Sequence, residues 1–130
     1  MMVITMAEKI ALASCNGMSA NGLVSRVAVG DCKKENPNVI SICMGSTSAD
    51  AEGKNDDMLK KFPIIAINGC DNGCVNKILS NRGIEVSKTI GVGDILKKHN
   101  AFVTDPFRLD SKGEKCVEII KNKINEELEG

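Results

Sequence analysis

Aromatic side chains are nearly missing from this chain: 130 residues hold three Phe, no Trp and no Tyr. A core must then be built from Ile, Val, Leu and Met. The stacking platforms that readers of single-stranded nucleic acid use are lacking. A charge imbalance is absent too, with 17 basic and 17 acidic residues. Lys33-Lys34, Lys60-Lys61 and Lys97-Lys98 stand as separate pairs. Each falls near a predicted helix C-terminus, where a cation suits the helix dipole better than it builds a phosphate-binding stripe. Nucleic acid is therefore not an expected partner. The one histidine, His99, follows two lysines at a helix end and reads as a C-terminal helix residue rather than a ligand. Long apolar runs are also absent. Met1 to Met6 is interrupted by Glu8 and Lys9 before a signal-type core can form, and no stretch reaches the roughly 18 apolar residues of a membrane span. The expectation is a cytoplasmic protein without a membrane partner. Neither G-x-G-x-x-G nor a Walker loop follows a strand, which argues against a nucleotide in the Gly/Ser-rich loops.

What is present is a hydrophobic content of 42%, enough for a core without disulfides, in a chain of one-domain length, taken as residues 1–130. Ile10 to Ser14 reads as a buried strand, followed by a small-residue loop and a helix over about Asn21 to Lys34. Leu23, Val24, Val27 and Ala28 form its apolar stripe. Val39 to Ile42 is a second strand. Gly45 to Asn55 is a loop leading to a helix that ends near Lys61. Pro63 to Ile67 is a third strand, continuous enough to be central in a parallel sheet. A helix follows from Cys74 to Arg82, stopped by Gly83. Ile84 to Ile90 reads as a fourth strand, Asp94 to His99 as a short helix and Ala101 to Thr104 as a last short strand. Ser111 and Glu114 suggest a capping box before a terminal helix with Val117, Ile120, Ile124 and Leu128 inward. Strands alternating with helices predict an α/β three-layer sandwich, Rossmann-like. Its sheet would be mainly parallel, of four to five strands, with helices on both faces.

Six cysteines in such a chain point to metal ligands or redox thiols rather than structural disulfides. Cys15, Cys43 and Cys70 each follow a predicted strand, and Cys74 lies four residues after Cys70 in the first turn of a helix. In a parallel sheet the carboxyl ends of strands gather along one edge, so thiols far apart in sequence converge there. The spacing C-x27-C-x26-C-x3-C is tied to strand-helix-strand units rather than to paired C-x2-C knuckles. Four thiolates suit a soft tetrahedral ion such as zinc. Helix N-termini supply the positive potential that keeps a thiolate ionised. A lone buried cysteine is commonly a small hydrophobe; four aligned on one edge have no packing reason to be there. Cys32, one turn after Ala28, and Cys116, beside Val117, read as packing residues instead.

The segment Cys15-Asn16-Gly17-Met18-Ser19-Ala20-Asn21-Gly22, then Cys43 with Gly45, then Asn68-Gly69-Cys70 and Cys74, resembles the DGC domain family. That family is named for a central Asp-Gly-Cys motif and is described as zinc-binding through four cysteines, with no further molecular function assigned. The similarity runs from about Ile10 to about Lys98, and C-x-G-x-S-x-x-G is its most specific part. The resemblance implies that Cys15, Cys43, Cys70 and Cys74 are the ligands. Asn68 stands where the family usually has Asp, which puts any acid/base role at that position in doubt.

The leading expectation is a metal-binding protein with one zinc ion on four thiolates at the carboxyl edge of the sheet, serving metal sensing or delivery. No general base accompanies the cysteines, so the expectation leans away from an enzyme. One alternative is a thiol redox or sulfur-transfer enzyme using Cys70 and Cys74, although C-x3-C is not the C-x-x-C redox spacing. Another is an iron–sulfur cluster on the same four residues.

Overall fold

The computed structural model describes residues 9–15, 19–42, 62–69 and 73–129. Four strands form one parallel sheet among them. These are β1 (Ile10–Ser14), β2 (Val39–Ile42), β3 (Ile64–Asn68) and β4 (Lys88–Gly91), in the spatial order β2-β1-β3-β4. The ladders pair Ala13 with Ile42, Ser14 with Ile67, and Asn68 with Gly91. β1 and β3 are central and almost wholly buried, as expected of strands covered on both faces. The edge strands β2 and β4 bury fewer residues. The helices are α1 (Ala20–Glu35), α2 (Cys74–Asn81), α3 (Val92–Lys98) and α4 (Ser111–Glu129).

The period-2 alternation of the strands divides the core in two. Leu12, Ile65, Ile67 and Ile90 face α1, α3 and α4, where they meet Val24, Ala28, Val29, Cys32, Val92, Leu96, Val117, Ile120 and Ile124. Ala11, Ala13, Cys15, Ile64 and Ala66 face the other way and form a smaller cluster with Val75, Leu79 and Ile84. This is the expected three-layer sandwich. Alanine supplies Ala11, Ala13 and Ala66 of the α2 face.

After β1 the chain goes to β2 on one side, and it then returns to β3 on the other side of β1. The boundary between β1 and β3 is therefore the topological switch point, where connections leave in opposite directions and open α/β sheets form a crevice at the carboxyl edge.

Several expectations are corrected. The fourth strand is confined to Lys88–Gly91. Gly83 takes the left-handed conformation (φ +72), and Ile84 donates its N–H to Leu79 O at 2.9 Å. The apolar start of that run thus closes the end of α2 and packs beneath it instead of entering the sheet. Ala101 to Thr104 is not a strand: Ala101 N donates to Leu96 O at 2.9 Å as part of the α3 stop. The cap of α4 is Asp110, whose carboxylate accepts from Gly113 N at 2.8 Å, one residue before the expected Ser111. The inward stripe of α1 is rotated relative to the expected one. Val24, Ser25, Ala28, Val29 and Cys32 are buried, while Leu23 and Val27 are half-buried. α3 begins at Val92, two residues early. Lys33-Lys34 and Lys97-Lys98 do lie in last turns, and His99 is the exposed C-cap of α3. The expected Gly45–Lys61 loop and helix, with Lys60-Lys61, lie outside the described residues.

Candidate functional site

Cys15 immediately follows β1 and is buried. It is held in line by its N–H, which donates to Ile67 O of β3 at 2.9 Å. The alternation of β1 sends it to the α2 side, in the cluster that contains Val75. Cys74 is the first residue of α2 and is exposed. Cys43 follows Ile42 of β2 in sequence, and Cys70 follows Asn68 of β3 by two; both lie outside the described residues. Among the described residues, no three His, Cys, Asp or Glu side chains gather closely enough to hold a metal ion. Two of the four expected ligands are thus located, one at the end of β1 and one at the start of α2.

The residues around them account for Ser19 and Gly22 of the C-x-G-x-S-x-x-G pattern, while Gly17 lies outside the described residues. Ser19 is the N-cap of α1, and its hydroxyl accepts from Gly22 N at 3.0 Å. Gly22 is buried against Gly69, the residue after β3. A Cβ on Gly69 would stand 2.8 Å from both Cα and N of Gly22. Only two glycines allow this approach, which seats the first turn of α1 directly on the end of β3. Beneath it, Ser14 and Ser25 are buried with their hydroxyls 3.0 Å apart. Ser14 Oγ donates to Cys15 O at 3.0 Å, and Ser25 Oγ lies 3.4 Å from Ile67 O. Two hydroxyl protons serve three contacts, so at any moment one contact lacks its proton.

Asn68 is buried and reaches α2 from the sheet. Its Oδ1 accepts from Val75 N at 3.0 Å, and its Nδ2 donates to Asn76 Oδ1 at 2.6 Å. Asn76 in turn donates to Thr89 Oγ1 of β4 at 3.1 Å. Sequence reasoning overlooked Ser25 and Asn68 as contacts. Ser25 interrupts an apolar stripe, and that interruption was the available signal.

Neither α1 nor α2 has an acidic residue in its first turn, whereas α3 has Asp94 and α4 has Glu114. The positive helix ends beside the switch point are thus left uncompensated by side chains of their own first turns, which favours anionic groups there.

Cys32 and Cys116 belong to a different environment. Both are buried in the α1–α4 core. Burial, reinforced by the nearby Glu35 carboxylate, pushes the Cys32 thiol up to about 11. Burial raises Cys116 in the same direction, with Asp110 adding to it. Both thiols stay protonated near neutral pH and pack as small hydrophobes, as expected.

The family model of the DGC domain matches residues 11–122, nearly the whole chain. The chain belongs to the DGC domain family. Searches of curated proteins and of solved structures each return no match. The matched span of this DGC domain runs from β1 into α4, and so includes Cys116 and the helix that covers α1, beyond the cysteine-bearing loops.

Proposed function

We propose that this DGC-domain protein binds one zinc ion through the thiolates of Cys15, Cys43, Cys70 and Cys74 at the carboxyl edge of the sheet, and that the site serves metal sensing or delivery. The observation that carries this reading is the position of Cys15: it ends β1 at the switch point, on the face where Cys74 begins α2. Soft sulfur donors suit zinc, which when bound by four thiolates forms a closed tetrahedral centre. Such a centre carries two net negative charges, and the acid-free first turns of α1 and α2 are matched to that sign. The larger aliphatic cluster holds none of the four proposed ligands, and only Cys15 of the four belongs to the smaller one, so most of the described core packs without the metal. That separation favours exchange or sensing over a purely structural ion. A reducing, cytoplasmic setting would keep the thiols available. Among the described residues, no helix is long and apolar enough to cross a membrane.

A second reading, thiol redox or sulfur transfer through Cys70 and Cys74, is favoured by one observation: Cys74 is exposed in the first turn of a helix, where a thiolate is stabilised and accessible.

The test is anaerobic purification followed by elemental analysis, absorbance and thiol counting with and without chelator. A colourless protein with one zinc per chain, four thiols unmasked by chelation, and loss of zinc in C70S and C15S is expected. Full zinc retention in either variant would overturn the ligand set. Brown, iron-containing protein would replace zinc by a cluster, and two hyper-reactive thiols in metal-free protein would favour the redox reading.

A further inference from the structure

We propose that Asn68 is the positioning residue of the cysteine site: it ties the first turn of α2, and with it Cys74, to the end of β3. This rests on the cysteine-site reading above, while its own geometry lies wholly in described residues. α2 lacks a side-chain cap of its own. Its N-cap is Gly73, in the left-handed conformation at φ +65, with no side-chain oxygen to offer. The orphan N–H of Val75 is taken instead by a residue seven positions back, Asn68 Oδ1 at 3.0 Å, in a buried contact. The other end of the same amide donates to Asn76 Oδ1 at 2.6 Å, and Asn76 donates onward to Thr89 on β4 at 3.1 Å. The helix turn that carries Cys74 is therefore fastened to two adjacent strands. The fastening residue is itself the last residue of β3, fixed in the ladder opposite Gly91. A helix start capped by glycine has no side-chain acceptor of its own for its first N–H groups. With Asn68 in place, Cys74 keeps a set position relative to the strand ends, which a multidentate thiolate site needs.

An amide both accepts and donates here, whereas a carboxylate only accepts. N68D therefore keeps the bond to Val75 N and can satisfy Asn76 only after that amide reverses. N68A removes both contacts.

The test compares N68A and N68D with N36A. Asn36 Nδ2 donates to Cys32 O at 2.9 Å at the opposite end of α1, so its loss is a similar deletion remote from the site. In metal-free, reduced protein, amide exchange at Val75 should quicken about tenfold in N68A, stay within about threefold in N68D, and be unchanged in N36A. Zinc affinity, measured by chelator competition, should fall about 10- to 100-fold in N68A and not in N36A. Unchanged Val75 exchange in N68A overturns the proposal. So does an equal loss of zinc affinity in N36A and N68A, which would reduce the effect to general destabilisation. A wild-type protein that takes up no zinc defeats the metal reading, and the exchange and the alkylation rate of Cys74 then judge the anchoring without metal. N68A should speed that alkylation severalfold, and an unchanged rate counts against it.

Discussion

Replacing Gly69 with Ala adds one methyl group where the structure has no room for it. The new Cβ would lie 2.8 Å from Gly22 Cα, 2.8 Å from Gly22 N and 3.1 Å from the carbonyl carbon of Asn21. Carbon atoms in good contact sit about 3.5–4.0 Å apart, so relief requires a shift of about 0.7 Å or more. All three neighbours are backbone, and no side chain can rotate away. α1 cannot retreat freely either. Val24 and Ala28 are fully buried in the core, and Ser25 is bonded to Ser14 beneath the same turn. Overpacking costs about 1–3 kcal/mol where side chains can adjust; with backbone on both sides the upper end applies, about 3 kcal/mol. For a domain of this size that corresponds to a Tm lower by about 10 °C. The same chemical change at Gly30 has the opposite sign. Gly30 is exposed in the middle of α1, and its Cβ would meet nothing within 4 Å. G30A should stabilise by about 0.5–1 kcal/mol through helix propensity alone. Urea unfolding followed by circular dichroism, on reduced and metal-free protein so that ligand linkage does not enter, measures both. If G69A unfolds within about 0.5 kcal/mol of the parent, α1 does not rest on the end of β3 and the packing at the switch point is wrong.

Cys32 gives a pH dependence. Its folded thiol lies at about 11 against 9.0 for the unconstrained group, so the stability it contributes is complete below pH 9 and is lost as pH rises toward 11. About 2–3 kcal/mol should disappear over that window, and C32A should remove this part of the slope; an identical slope in C32A would count against it. Lys121 Nζ sits 2.8 Å from Glu35, 3.6 Å from Glu118 and 3.8 Å from Asp31, joining α4 to the end of α1. Its ammonium is held above the ordinary lysine range, first by the Glu35 hydrogen bond. K121M should cost about 0.5–1 kcal/mol at low ionic strength and much less in 1 M salt; a cost that salt leaves untouched would mean the stem's packing, not its charge, is at work. Ser25→Ala should cost about 1–2 kcal/mol by unfolding measurements, because Ser14 loses its buried partner; a neutral result would mean that Ser14 is satisfied by Cys15 O alone.

The central strands were legible because they are apolar throughout and bounded by turn residues. β1 and β2 match the expected limits residue for residue, and β3 is displaced by one because Pro63 precedes the strand rather than opening it. The strand expected over Ile84 to Ile90 shows where local pattern misleads. Ile84 and Val86 are as apolar as a strand requires, but a glycine stop draws the first into the end of α2, and only four residues remain to pair with β3. The strand expected at Ala101 to Thr104 failed for the same reason, with Ala101 drawn into the end of α3. For the candidate site, the sequence supplied the residue types and their placement after strands. It did not supply the order β2-β1-β3-β4, and without that order the switch point beside Cys15 has no address. Nor could it supply the capping role of Asn68, which the motif marked only as the position of the family's usual Asp, since a side chain seven residues before the N–H that it serves follows no local pattern.

The helix starts of this domain separate into two kinds, and the separation bears on what the switch point is for. α3 opens with Asp94 in its first turn. α4 opens with Glu114 and is capped by the Asp110 carboxylate. Each such acid stabilises its helix by about 0.3–1 kcal/mol through the dipole. α1 and α2 forgo that gain. Their caps are a neutral hydroxyl, from Ser19, and a neutral amide reaching across from Asn68. Both neutral groups satisfy backbone donors, and the Asp that the family usually carries at position 68 could accept from Val75 N in the same way. The two starts with no acid in their first turns are the helix seated on the end of β3 and the helix that begins with Cys74, an arrangement that would favour the proposed thiolate site.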